Sequence, residues 1–116
     1  MKYDIEIAAN ELMLTAEELK EIFQFYFEDA VELMASCYIA NKEKNYIIMS
    51  KKIHALKGSS MSLRMDELAV MIIELESLAN KEKGEEIARY LPKIEKALDK
   101  LKKEIDAFYN DTTDRS

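Results

Sequence analysis

This sequence is short of the residues that bend, break or staple a chain. Its 116 residues include two glycines, one proline, one cysteine, one histidine and no tryptophan. Two glycines and one proline are too few for the many tight turns of an all-β fold. A single cysteine, Cys37, forms no internal disulfide. Its place on an apolar helix face predicts a buried free thiol. One histidine and one cysteine are too few for a typical zinc site. No apolar run approaches the ~18–20 residues that a membrane-spanning helix needs. The opening Met1-Lys2-Tyr3-Asp4 does not begin a charged-then-apolar signal peptide. The expectation is a cytoplasmic protein with no membrane partner. There is no glycine-rich phosphate loop either, so the chain is not expected to bind ATP or to act as an enzyme by itself. Paired carboxylates such as Glu17/Glu18 and Glu85/Glu86 are adjacent instead of converging, and read as solvated helix surface.

What is abundant is helix-forming and charged. Hydrophobic residues make up 48% and charged residues 34% of the chain, the balance of one folded domain and not of a disordered segment. The formal charge of −6 argues against nucleic acid, whose backbone demands a broad basic surface.

Hydrophobic periodicity divides the chain into five helices. A short one over 4–12, capped by Asp4, is expected to lie across the others as a lid. The next starts at a capping box, with Thr15 as cap, Glu18 three residues on, and Leu14 stapling to Leu19. It runs to about Asn41 with a stripe of Leu19, Phe23, Tyr26, Ala30, Leu33, Cys37 and Ala40. A third helix, capped by Asn45, ends near Leu63. A fourth runs from about Met65 to Ala79, with Asp66 and Glu67 favoured in its first turn by the helix dipole. After the turn 80–84, where Gly84 is the candidate for positive φ, a last helix covers about Glu85 to Tyr109. Its seam is Ile87, Leu91, Ile94, Leu98, Leu101, Ile105 and Phe108, and Pro92 is expected to kink it. All connections are short, which predicts sequential antiparallel neighbours. The fold class is all-α: an antiparallel up-down four-helix bundle with a short extra N-terminal helix. It makes one domain over 1–109, with a polar tail at 110–116, and is expected to be a monomer.

One stretch stands apart. Residues 44–65 hold Lys44, Lys51, Lys52, Lys57 and Arg64 and no acid. That is +5 in a chain of −6, which leaves −11 for everything else. The apolar face of this helix is Tyr46, Met49, Ile53, Leu56, Ser60 and Leu63. At about 100° per residue, His54 lies roughly 125° from its centre and should face solvent. Ile47, Ser50, Lys51, Lys57, Gly58 and Met61 surround it. Gly58 costs the helix about 0.5–1 kcal/mol relative to alanine. One turn from His54, it leaves the imidazole open to a large partner. Lys57, three residues on, can bring its ammonium toward whatever the imidazole carries. Taken singly, each feature is ordinary: a surface histidine, a packing glycine, a solvated lysine face. Together they are not.

His54-Ala55-Leu56-Lys57-Gly58-Ser59-Ser60, followed by a second helix, resembles the histidine phosphotransfer (HPt) domain family, whose pattern is His-x-x-Lys-Gly-Ser-Ser/Ala. The resemblance covers nearly the whole chain. It implies a phosphorelay carrier that takes a phosphoryl group from a receiver-domain aspartate and passes it to another response regulator. In that reading His54 is the phosphoacceptor and Lys57 stabilises the phosphate. Gly58, Ile47, Ser50, Lys51 and Met61 form the docking face. Glu76 would lie close enough to hold the imidazole by a hydrogen bond, although an ordinary solvated glutamate is the plainer reading. Receiver domains, and a hybrid sensor histidine kinase as a further candidate, are the implied partners. The receiver supplies the Mg, and the chain itself carries no cofactor or metal. Many members have glycine where this chain has Arg64, which bears on the turn there. The alternative from the residues alone is a non-catalytic helical adaptor that binds an acidic partner through the basic helix 44–65.

Overall fold

The computed structural model describes residues 3–114, with side chains described for 3–111. Five helices follow one another: α1 Ile5–Glu11, α2 Ala16–Lys42, α3 Tyr46–Ser62, α4 Asp66–Asn80 and α5 Gly84–Asp114. No strand occurs among the described residues. The starts follow from local chemistry. Asp4 Oδ1 accepts from the Ile7 N–H at 3.0 Å, and Asn45 Oδ1 accepts from the Ile48 N–H at 3.2 Å. The Thr15 capping box is complete, its two bonds 2.9 and 3.0 Å long. Such caps satisfy N–H groups that the helix itself leaves unpaired.

The stops are less expected. Each of the first four helices ends with a left-handed residue, and none of these is glycine: Met13, Lys44, Arg64 and Glu82 have φ of 58°, 57°, 61° and 55°. At every one the same pair of bonds closes the end. The Asn45 N–H, for example, reaches Ala40 O at 2.8 Å, and the Lys44 N–H reaches Asn41 O at 3.1 Å. This is the Schellman arrangement, which satisfies the last carbonyls. Arg64 therefore occupies a position that glycine suits best, and its guanidinium Nε donates to Glu11 Oε2 at 3.0 Å. Gly84, expected to carry the positive φ of its turn, does not. It is the first residue of α5, and a Cβ there would stand 2.9 Å from the Tyr46 hydroxyl. What marks that glycine is the near approach of the Tyr46 hydroxyl and not a left-handed backbone.

The four long helices touch in a ring, α2 to α3, α3 to α4, α4 to α5 and α5 back to α2. The body measures 50 × 23 × 21 Å. Inside the ring, Leu19, Met49, Ile53, Leu56, Leu68 and Ile72 are fully buried. Each such side chain contributes about 1.5–3 kcal/mol relative to exposure. Cys37 is buried and free, and burial pushes its thiol up to about 11. α1 packs on α2. It is tied to the α3–α4 turn by the Glu11–Arg64 pair, and just before it the Tyr3 hydroxyl donates to Leu63 O at 2.6 Å.

Two expectations need correction along α5, its end and the close of its seam. Pro92 lies inside the helix, in keeping with the apolar rhythm that runs through it, and α5 runs on to Asp114, beyond the expected helix end near Tyr109. Positions 115 and 116 lie outside the described residues. The seam closes on Tyr109, which is buried and donates to Ala16 O at 2.6 Å, while Phe108 is half-buried. Among the described residues no helix is long and apolar enough to cross a membrane.

Candidate functional site

α3 is planted in the ring by Met49, Ile53, Leu56 and Ser60, all buried. That stripe fixes its rotation, and His54 emerges on the far side with 74% of its side chain exposed. Lys57, three residues on and so about 60° round the helix from His54, is placed differently. Lys57 leans toward α4 and is only 22% exposed, and Glu76 of α4 is 24% exposed. The Lys57 Nζ donates to both carboxylate oxygens of Glu76, at 2.9 and 3.1 Å. Glu76 is thus not an ordinary solvated glutamate. Its direct hydrogen bonds come from Lys57 and not from the imidazole. The Glu76 Oε2 lies 3.8 Å from His54 Nδ1, beyond a direct hydrogen bond. Nδ1 is the ring nitrogen on the Glu76 side.

The other residues expected around His54 are exposed to differing degrees. Ile47 is 75% and Met61 50% exposed. Lys51 and Gly58 are exposed, and Ser50 is half-buried. Around Gly58 there is open space: apart from its chain neighbours and the local helix backbone, no atom of the described residues lies within 4 Å of where a Cβ would be. Among the described residues no contact requires glycine at that position. The helix pays its conformational cost with no gain in packing.

Behind the site is a polar link that the sequence did not announce. The Ser60 hydroxyl donates to Leu56 O at 2.7 Å. With its proton so used, it accepts from the Tyr26 hydroxyl, also at 2.7 Å. Ser59 adds a second hydroxyl to the same carbonyl at 3.1 Å. Burial pushes the Tyr26 phenol up to about 12, against the pull of the Ser60 hydrogen bond. The link anchors α3 to α2 nearly two turns beyond His54. Ser60 on an apolar stripe was the only signal of it.

No family model, no curated protein and no solved structure matches this chain. The site must be read from its own geometry. Ile73, 47% exposed, lies one turn before Glu76 on the same side of α4. It widens the apolar rim beyond what α3 alone suggested, because α4 contributes to the face. An exposed imidazole with a carboxylate near one nitrogen, an ammonium one turn away and unfilled space beside it can do one thing well. It can present a ring nitrogen as a nucleophile to an electrophile that approaches from solvent.

Proposed function

We propose that this chain is a histidine phosphotransfer protein: it accepts a phosphoryl group on His54 from a receiver-domain phospho-aspartate and relays it to another response regulator. The observation that carries the reading is the joint geometry of His54, Lys57 and Glu76 beside the open surface at Gly58. His54 attacks phosphorus through Nε2 while Nδ1 keeps its proton toward Glu76. The P–N bond forms as the P–O bond to the aspartate breaks, and the aspartate leaves as a carboxylate. The ring becomes cationic, and Glu76 stands beside the N–H that carries this charge. Lys57 exchanges its partner, from the Glu76 carboxylate to a phosphoryl oxygen. The reverse sequence loads the next receiver. A divalent cation belongs to the receiver, and positioning supplies much of the rate.

The same proposal takes the ring of four long helices as an antiparallel up-down bundle, acting as a cytoplasmic monomer. Short turns and ring-wise contacts support it. The test is transfer of label from a phosphorylated receiver. The parent should acquire an acid-labile phosphoryl group, and His54→Gln should not. Equal labelling of His54→Gln would end the proposal. Binding of an acidic partner that survives His54→Gln, with no phosphoryl transfer by the parent, would favour a helical adaptor instead.

A further inference from the structure

The side of the ring away from His54 carries its own opening. In the order α2–α3–α4–α5, the α2/α5 seam lies opposite the α3/α4 seam that holds the imidazole and Glu76. A groove of about 1040 Å³ runs along it. Its α2 wall extends from Lys20 to Tyr38, about 27 Å at 1.5 Å per residue. Phe27, Met34, Leu98 and Ile105 form an apolar floor. Val31 stands on the wall 70% exposed, with no structural need for an apolar side chain there.

The walls are charged unevenly. Glu28, Glu95, Asp99 and Asp106 face Lys20 and Lys102. Both cations are already engaged: Lys102 holds Asp106 at 2.9 Å, and Lys20 lies 5.8 Å from the centre of the Tyr109 ring. Of the carboxylates, Asp99 pairs with Lys103 and Glu95 accepts from the Tyr38 hydroxyl. Two carboxylates, Glu28 and Glu95, are left with no ion pair among the described residues, against one cation, Lys20, so the groove is long, closed at its base by buried apolar side chains, and carries a small negative excess along its edges.

We propose that the α2/α5 groove is a second docking surface, and that it takes a basic amphipathic helix of a partner protein. The dimensions suit a helix of about 18 residues laid along the seam, its apolar stripe down and its lysines or arginines toward the edges. Charge complementarity selects the sign of the partner. An acidic receiver face belongs at α3, and a basic helix belongs here. Because the two seams are opposite, both sites can be filled together.

The test uses the full chain and a fluorescently labelled 18-residue peptide with a leucine stripe at helical spacing and lysine elsewhere. A peptide with the same stripe and glutamate in place of lysine is the control. Anisotropy titration should show saturable binding of the lysine peptide only. Val31→Lys and Glu28→Lys, both on exposed residues and checked for helicity, should each weaken it about tenfold. His54→Gln should leave it unchanged, so this site and the phosphotransfer reading stand or fall separately. Equal binding of both peptides, no saturable binding, or indifference to Val31→Lys would overturn the proposal. Self-association in sedimentation that Val31→Lys abolishes would also overturn it, making the occupant a second copy of this chain.

Discussion

Replacing Gly58 should make this protein more stable and, with a larger side chain, less able to work. Glycine inside a helix costs about 0.5–1 kcal/mol relative to alanine. Gly58 has no positive φ, and an added Cβ meets nothing within 4 Å. No steric penalty offsets the gain. Unfolding entropy near 2.1 cal/mol/K per residue then converts Gly58→Ala into a rise in Tm of about 2–4 °C for a chain of this size. Leucine is nearly as good a helix former as alanine, so Gly58→Leu should also melt above the parent. The two variants part company in transfer. A branched side chain one turn from His54 fills the space a receiver would enter, so Gly58→Leu should transfer far more slowly than Gly58→Ala. The assays are thermal unfolding followed by circular dichroism and phosphoryl transfer from a labelled receiver. A lowered Tm for Gly58→Ala would refute the open-surface geometry. Transfer by Gly58→Leu at the parent rate would refute the clearance argument while leaving the fold untouched.

Other consequences are local. Glu76→Gln keeps the shape of the side chain but removes the charge that holds Lys57. It should cost about 1–2 kcal/mol, slow transfer, and shift the neutral His54 ring away from the Nδ1–H form in nitrogen NMR; an unchanged tautomer would detach Glu76 from the imidazole. Tyr26→Phe removes the donor to Ser60 and should cost about 1 kcal/mol in denaturant unfolding. Combined with Ser60→Ala, the two losses should fall short of additive, and strict additivity would deny the link. Alkali should unfold the protein through its phenols. Burial raises Tyr26 and Tyr109 from 10.0 to about 12, and raises Tyr3 further. The folded state then holds protons that the unfolded state releases, so stability is full below pH 10 and declines as pH rises toward 12. Urea midpoints measured from pH 8 to 12 would contradict this if they stayed level throughout.

The chain's local period determined a good deal. Apolar stripes at three- and four-residue spacing set which face of each helix is buried. His54 faces water because Met49, Ile53 and Leu56 cannot. Asp4, Thr15 and Asn45 mark three helix starts because capping needs only a side-chain oxygen a few residues from its N–H. All of that is chemistry between near neighbours. Only the tertiary structure decided the rest. Lys57 and Glu76 are 19 residues apart, and their pairing depends on the axial register and rotation of α4 against α3. Tyr26 and Ser60 are 34 apart and meet for the same kind of reason. Gly84 was read as a turn glycine because glycine suits positive φ. The strain fell instead on Glu82, since four Schellman stops could be closed without glycine once the helices packed. The α2/α5 groove was invisible along the chain, because its walls come from residues that periodicity had already given to the core or the surface. How far two helices stand apart is not written in either of them. It is set by everything they enclose together.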